Sequence, residues 1–140
     1  MQHSFLDWDL HHIGVVVRDM EKARLLYIQL GYQCSETICD LLQNVFLAFC
    51  ESKKGPAVEL VAPVDETSPC TPFLNKIGPG TYHTCYSCSS IQMSLSILDQ
   101  LGLRYFIVSE PKPARLFNDQ KVIFLLFAST GLIELIERIE

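Results

Sequence analysis

The sequence predicts an α+β fold made of two tandem strand–helix–three-strand (βαβββ) modules, and three observations predict it. His12 and His83 stand 71 residues apart, as do Leu30-Gly31 and Leu101-Gly102, each pair ending a helical stretch. Val58-Glu59-Leu60-Val61 returns 75 residues later as Ile133-Glu134-Leu135-Ile136, so the second copy carries only four extra residues. In both copies the apolar residues switch from strand-like to helix-like spacing and back in the same order, the mark of an internal repeat. The modules cover about residues 9–63 and 80–138 of one domain, with a short linker helix over about 66–78.

Residues 10–17 are rich in β-branched side chains and read as the first strand. Asp19 is a helix N-cap, after which Met20, Ala23, Leu26, Tyr27 and Leu30 recur at helical spacing until Gly31. Strands are expected at 32–38, 42–50 and 57–62, the last two joined by the hairpin loop Glu51-Ser52-Lys53-Lys54-Gly55-Pro56. Asp65, Thr67, Ser68 and Pro69 start the linker helix, Phe73, Leu74 and Ile77 form its apolar face, and Gly78-Pro79-Gly80 ends it. In the second copy a strand at 81–88 leads to a helix capped by Ser89 or Ser90, with Ile91, Leu95, Leu98 and Leu101 on one face. Strands at 104–108, 121–128 and 132–137 complete it, and Glu110-Pro111-Lys112-Pro113 is expected to interrupt regular structure between them. Two small sheets, each covered by a helix, would let their remaining faces meet around a cleft.

At 140 residues the chain can bury a real core, and 49% hydrophobic with 19% charged residues is ordinary for a globular domain. A net charge of −5 without a basic stripe argues against nucleic acid. No apolar run reaches the roughly 18 residues of a membrane span. The N-terminal residues lack the cationic start and apolar stretch of a signal peptide, so a cytoplasmic location is expected. The six cysteines are expected to be reduced thiols. A zinc site on Cys34-x4-Cys39 or Cys85-x2-Cys88 is disfavoured, because strand residues three apart point to opposite faces.

Each copy contributes one histidine and one glutamate at matching places, and imidazole with carboxylate suits first-row divalent ions. Glu59 and Glu134 interrupt apolar strands, where an unpaired buried carboxylate would be costly. Strand alternation puts His12, Gly14 and Val16 on one face and His11, Ile13 and Val15 on the other. His12 aligns with His83 across the repeat, which selects it over His11. Gln43, Asn44, Tyr82, Cys85 and Tyr86 are candidates to line the cleft, and Arg104, Lys112 and Arg115 could meet the phosphates of a substrate carrier.

These residues resemble the vicinal oxygen chelate superfamily of glyoxalases, bleomycin-resistance proteins and dioxygenases, within it most of all methylmalonyl-CoA epimerases. The similarity runs from about Asp9 to Glu137. It is carried by His12-Ile13-Gly14-Val15-Val16-Val17, Val58-Glu59-Leu60-Val61-Ala62-Pro63, Gly78-Pro79-Gly80-Thr81-Tyr82-His83, Glu110-Pro111-Lys112-Pro113 and Ser129-Thr130-Gly131-Leu132-Ile133-Glu134-Leu135. The resemblance implies a glyoxalase-like fold whose paired modules hold one divalent ion on His12, Glu59, His83 and Glu134. Cobalt, nickel, manganese, zinc and iron all suit that set. It implies an epimerase or isomerase moving a proton beside the carbonyl of an acyl thioester, carried on coenzyme A or a carrier protein, with Glu134 both ligand and base. A homodimer is expected on separate grounds, since paired modules commonly leave sheet edges or apolar helices exposed. Other readings are a glyoxalase-I-like lyase of a thiol–aldehyde adduct and a non-catalytic small-molecule binding or resistance protein.

The chain also departs from the epimerase pattern. Leu47 stands where that family places a second glutamate. Residues 114–120 replace a glycine-rich stretch, and Phe124-Leu125-Leu126-Phe127 lacks the usual His-Pro.

Overall fold

In the computed structural model, which describes residues 6–139, strand β1 (Asp9–Val16) leads into helix α1 (Met20–Gln29), started by Asp19, whose carboxylate accepts from the Lys22 N–H. Strands β2 (Gln33–Cys34), β3 (Ile38–Asp40), β4 (Val45–Glu51) and β5 (Val58–Pro63) follow. The expected strand at 32–38 is thus two short pieces pairing with opposite ends of β4, and β4 begins three residues late because Asp40 folds residues 41–44 into a turn. Helix α2 (Thr71–Lys76) is shorter than the expected linker helix. Residues 64–68 instead form a side-chain-bonded turn, in which the Ser68 hydroxyl accepts from the Val64 and Asp65 N–H groups.

The second half runs β6 (Gly80–Cys88), α3 (Ile91–Leu101), β7 (Phe106–Ala114), a 3₁₀ turn (Arg115–Phe117), β8 (Gln120–Phe127) and β9 (Gly131–Glu137). Ser90 caps α3 by accepting from Met93 N–H, and Gly102 closes it in the left-handed conformation. Glu110-Pro111-Lys112-Pro113 does not interrupt regular structure, as the sequence led us to expect, but lies within β7. β7 is the sheet's outer strand, where a proline without an N–H removes no ladder bond, and its register shifts between Ser109 and Lys112.

The nine strands among the described residues form one sheet, in the order β2-β4-β5-β1-β6-β9-β8-β7 with β3 also on β4. This corrects the expectation of two sheets meeting face to face: β1 and β6 pair antiparallel and join the halves edge to edge. On one face α1 covers Ala48, Cys50, Val58 and Leu60, while α3 covers Ile123, Leu125 and Leu135. The opposite face carries Val16, Leu47 and Val61 under α2, and Cys85, Val122 and Ile136 beneath the 3₁₀ turn. Not all apolar positions of α1 reach the core: Leu26 and Leu30 are exposed.

Cys34 and Cys50 sit directly opposite each other on β2 and β4 and are joined as a disulfide, against the expectation of reduced thiols throughout. Cys39, Cys70, Cys85 and Cys88 are free. Among the described residues no helix is long and apolar enough to cross a membrane.

Candidate metal centre

The four central strands, β5-β1-β6-β9, are hydrogen-bonded neighbours, and each carries one of the predicted ligands. Residues directly opposite each other in a sheet share a face. Gly14 is opposite both Glu59 and His83, and Cys85 is opposite both His12 and Glu134, so these six residues share one face. His12, Glu59, His83 and Glu134 therefore converge, and one ligand atom from each lies within 4.8 Å of the other three. All four are buried, with exposures of 0%, 5%, 3% and 2%.

The His12 and His83 Nε2 atoms are 3.3 Å apart. Glu134 Oε1 lies 3.2 Å from each of them and Glu59 Oε1 3.6 Å from each. Atoms bound to one ion at about 2.0–2.2 Å and about 90–110° apart are themselves roughly 3.0–3.5 Å apart. His12, His83 and Glu134 have that spacing, and Glu59 Oε1 lies just outside it. Glu134 Oε1 has no hydrogen-bond partner despite its burial, which a cation would supply. His83 Nδ1 is likewise unpartnered, and its ring is aimed by space instead. It lies over Gly14, where any Cβ would overlap the imidazole. Two nitrogens and two carboxylate oxygens so arranged fit a first-row divalent ion.

Burial disfavours charge on His12, yet the carboxylates of Glu59 and Glu134 outweigh it and its pKa is pushed up to about 10. Burial would also raise Glu134, but the two imidazoles beside it hold its carboxyl well below the usual range. A folded value above the ordinary 6.5 means that charged His12 stabilises the metal-free protein fully below pH 6.5 and progressively less as pH rises toward 10. Metal must displace that proton. Between these pH values the affinity for a divalent cation is therefore expected to rise by about tenfold per pH unit, with about one proton released per ion. Nickel titration in weakly buffered indicator solution measures both, and a pH-independent affinity would contradict the assignment.

The cluster borders a cavity of about 240 Å³ lined mainly by apolar side chains, among them Val45, Leu47, Val61, Val108, Phe124 and Leu132. Glu59 and His83 reach its wall, while His12 and Glu134 lie behind them. Of the other sequence candidates, Gln43, Tyr82 and Lys112 line it. Cys85 is buried beneath the cluster, where desolvation pushes its thiol far up. Tyr86 packs instead in the core under α3. Asn44 donates to Asp65 and Thr67, and Arg115 to the Cys39 carbonyl. Burial also raises Tyr82 to about 12, so it stays a neutral phenol near pH 7.

Three phenylalanines escaped the sequence reading. Phe49 meets His12 edge-on at 5.8 Å and Phe124 meets His83 at 5.2 Å. They are opposite Glu59 and Glu134 in the sheet and share the glutamates' repeat offset, a signal that could have found them. Phe117, from the 3₁₀ turn, stacks on His12 at 5.4 Å. The turn is anchored by buried Asp40, which accepts from Arg115 N–H at 3.2 Å, from Leu42 and Gln43 N–H at 3.1 Å, and from Gln43 Nε2 at 2.9 Å. Asp40→Ala strands these donors and is expected to destabilise the protein by about 3 kcal/mol in urea melts. A loss under about 1 kcal/mol would show that water replaces the carboxylate.

His11 is misplaced by simple alternation. Leu10 pairs with Tyr86 and His12 with Cys85, so His11 is the extra residue of a β-bulge and turns to the His12 side. Its Nδ1 lies 2.8 Å from His12 Nδ1.

Compared with known proteins, residues 11–124 match the sequence profile of the glyoxalase/bleomycin resistance protein/dioxygenase superfamily. The uncharacterized protein YqjC of Bacillus subtilis is 29% identical over 133 residues, 91% of each chain. The mitochondrial methylmalonyl-CoA epimerase of Bos taurus is 32% identical over 131 residues, 90% of this chain and 72% of that one. The crystal structure of methylmalonyl-CoA epimerase from Mycobacterium tuberculosis superimposes with a TM-score of 0.81 at 25% identity, covering 100% of this chain and 93% of that chain.

Proposed function

The chain belongs to the glyoxalase/bleomycin resistance protein/dioxygenase superfamily, and from that premise we propose that it is a divalent-metal-dependent epimerase or isomerase moving a proton at the carbon beside an acyl thioester carbonyl. The observation that carries this reading is the buried His12–Glu59–His83–Glu134 cluster beside an apolar cavity that Glu59 and His83 help to line. Similarity to proteins named methylmalonyl-CoA epimerase supports an acyl thioester as substrate class, on coenzyme A or a carrier protein. A homodimer is part of the proposal, supported by Leu25, Leu26 and Ile28, which α1 leaves exposed.

His12, Glu59, His83 and Glu134 would hold cobalt, nickel, manganese, zinc or iron. When bound, such an ion supplies stabilisation of the negative charge that grows on the carbonyl oxygen as the neighbouring carbon loses its proton. The chain does the rest. Val45, Leu47, Val61 and Phe124 keep water from the reacting carbon. Glu134 accepts the proton and returns it, and Glu59, on the cavity wall, is the second carboxylate within the cluster able to do so. Lys112 and Gln43 offer the carrier a cation and an amide. Glu59 is the one carboxylate that lines the cavity among the described residues, and Glu134 is its neighbour in the cluster, so delivery to both faces of a planar enolate falls to this pair.

Metal-loaded protein should incorporate deuterium from D2O into methylmalonyl-CoA or propionyl-CoA, read by mass spectrometry, and metal removal should stop it. Turnover of a methylglyoxal–thiol hemithioacetal without wash-in would replace this reading with the lyase. Neither activity, together with no metal uptake, would leave a binding protein.

A further inference from the structure

The two histidines of the cluster are oriented by different devices. His83 is aimed by the bare Cα of Gly14 and its Nδ1 bonds nothing. His12 has no such hollow, and its Nδ1 meets the Nδ1 of its own neighbour at 2.8 Å. The bulge that makes this contact adds one residue to β1 against β6, and the ring of His11 is then wedged edge-on against Phe117 at 5.0 Å.

Two ring nitrogens at 2.8 Å share one proton, since two N–H groups would collide and two lone pairs would repel. A cation on His12 Nε2 needs the lone pair there, which leaves the His12 proton on Nδ1. The direction of the bond follows: His12 Nδ1–H donates, His11 Nδ1 accepts, and His11 carries its own proton on Nε2. Nitrogen and sulfur atoms of His11, His12 and Cys85 also lie within 4.8 Å of one another. A 2.8 Å separation is a hydrogen-bond length, however, shorter than the roughly 3 Å or more kept by two nitrogens on one ion.

We infer that His11 is a positioning residue for the metal centre: it fixes the Nδ1–H form and ring orientation of His12, so that Nε2 is presented to the cation. The inference rests on the metal-binding reading above. Outer partners of this kind typically change metal affinity by 10–100-fold.

The test compares cobalt affinity of the full chain, measured against a competing chelator, for wild type, His11→Leu and His11→Asn. Asparagine keeps an acceptor near the position of Nδ1, and leucine keeps bulk without one. His11→Leu should weaken cobalt binding by about 10–100-fold, and His11→Asn should restore it to within about threefold. A merely structural role would not separate the two. The second readout is the imidazole ¹⁵N spectrum of zinc-loaded wild type, which should show His11 with its proton on Nε2. Equal affinity of the leucine variant and wild type, or His11 with its proton on Nδ1, overturns the inference. If wild type takes up no divalent ion, the metal-binding reading fails and takes this inference with it, whereas a wild type that binds cobalt no better than the leucine variant overturns this inference alone. If His11→Leu does not fold, the spectrum and the asparagine variant decide it.

Discussion

Glu134→Gln is expected to abolish deuterium wash-in into the acyl thioester and to weaken divalent-cation binding by about 100-fold or more. Three effects act together. The substitution removes the negative oxygen lying 3.2 Å from both imidazole Nε2 atoms. It also puts an amide, whose NH₂ cannot ligate, into a position 2% exposed. Finally, it removes the assigned proton carrier, and general acid–base groups contribute about 10²–10⁴-fold to rate. Glu59→Gln is the informative companion, because Glu59 reaches the cavity wall while Glu134 does not. If both variants lose metal but only Glu134→Gln, resupplied with excess metal, stays inactive, the base is Glu134. If Glu134→Gln regains exchange in excess metal, the assignment of Glu134 as base is wrong.

The second large effect is expected from Gly14→Ala, a one-methyl change at a position that cannot ligate anything. Glycine is needed here for room and not for backbone freedom, since Gly14 is not among the residues with positive φ. It is the cross-strand partner of His83, whose ring fills the space above it, so an added Cβ would overlap the imidazole. Close-packed interiors yield little, and overpacking of this kind costs about 1–3 kcal/mol. Because the ring cannot move without taking Nε2 from the cluster, metal affinity should fall by about 100-fold while the fold survives. Calorimetric metal titration beside urea melts reads both quantities. Unchanged affinity would show that His83 swings aside freely and that the hollow is incidental.

The candidate site was more legible than the sheet. His12, Glu59, His83 and Glu134 were found because the chain repeats them, and strand alternation correctly joined His12 to Gly14 on one face. The same 75-residue offset that relates the glutamates also relates Phe49 and Phe124, so the rings packed on the histidines were visible in principle. Other features were not. A bulge inserts a single residue, and no periodicity announces it, so His11 was assigned to the wrong face. Glu110-Pro111-Lys112-Pro113 looked like an interruption because proline's cost depends on whether its strand is central or at an edge. The Cys34–Cys50 disulfide has no local signature, because only the pairing of β2 with β4 sets the two cysteines opposite each other.

Periodicity and repetition are local properties, carried by residues a few positions apart or by one segment compared with another. They alone determined the broad order of elements in the two modules and singled out four side chains that the structure brings together. Pairing between distant edges is a different kind of information, because any exposed strand offers the same row of N–H and C=O groups to several partners. Only the tertiary structure decided that β1 joins β6, making one sheet of two halves and turning four scattered side chains into neighbours on adjacent strands.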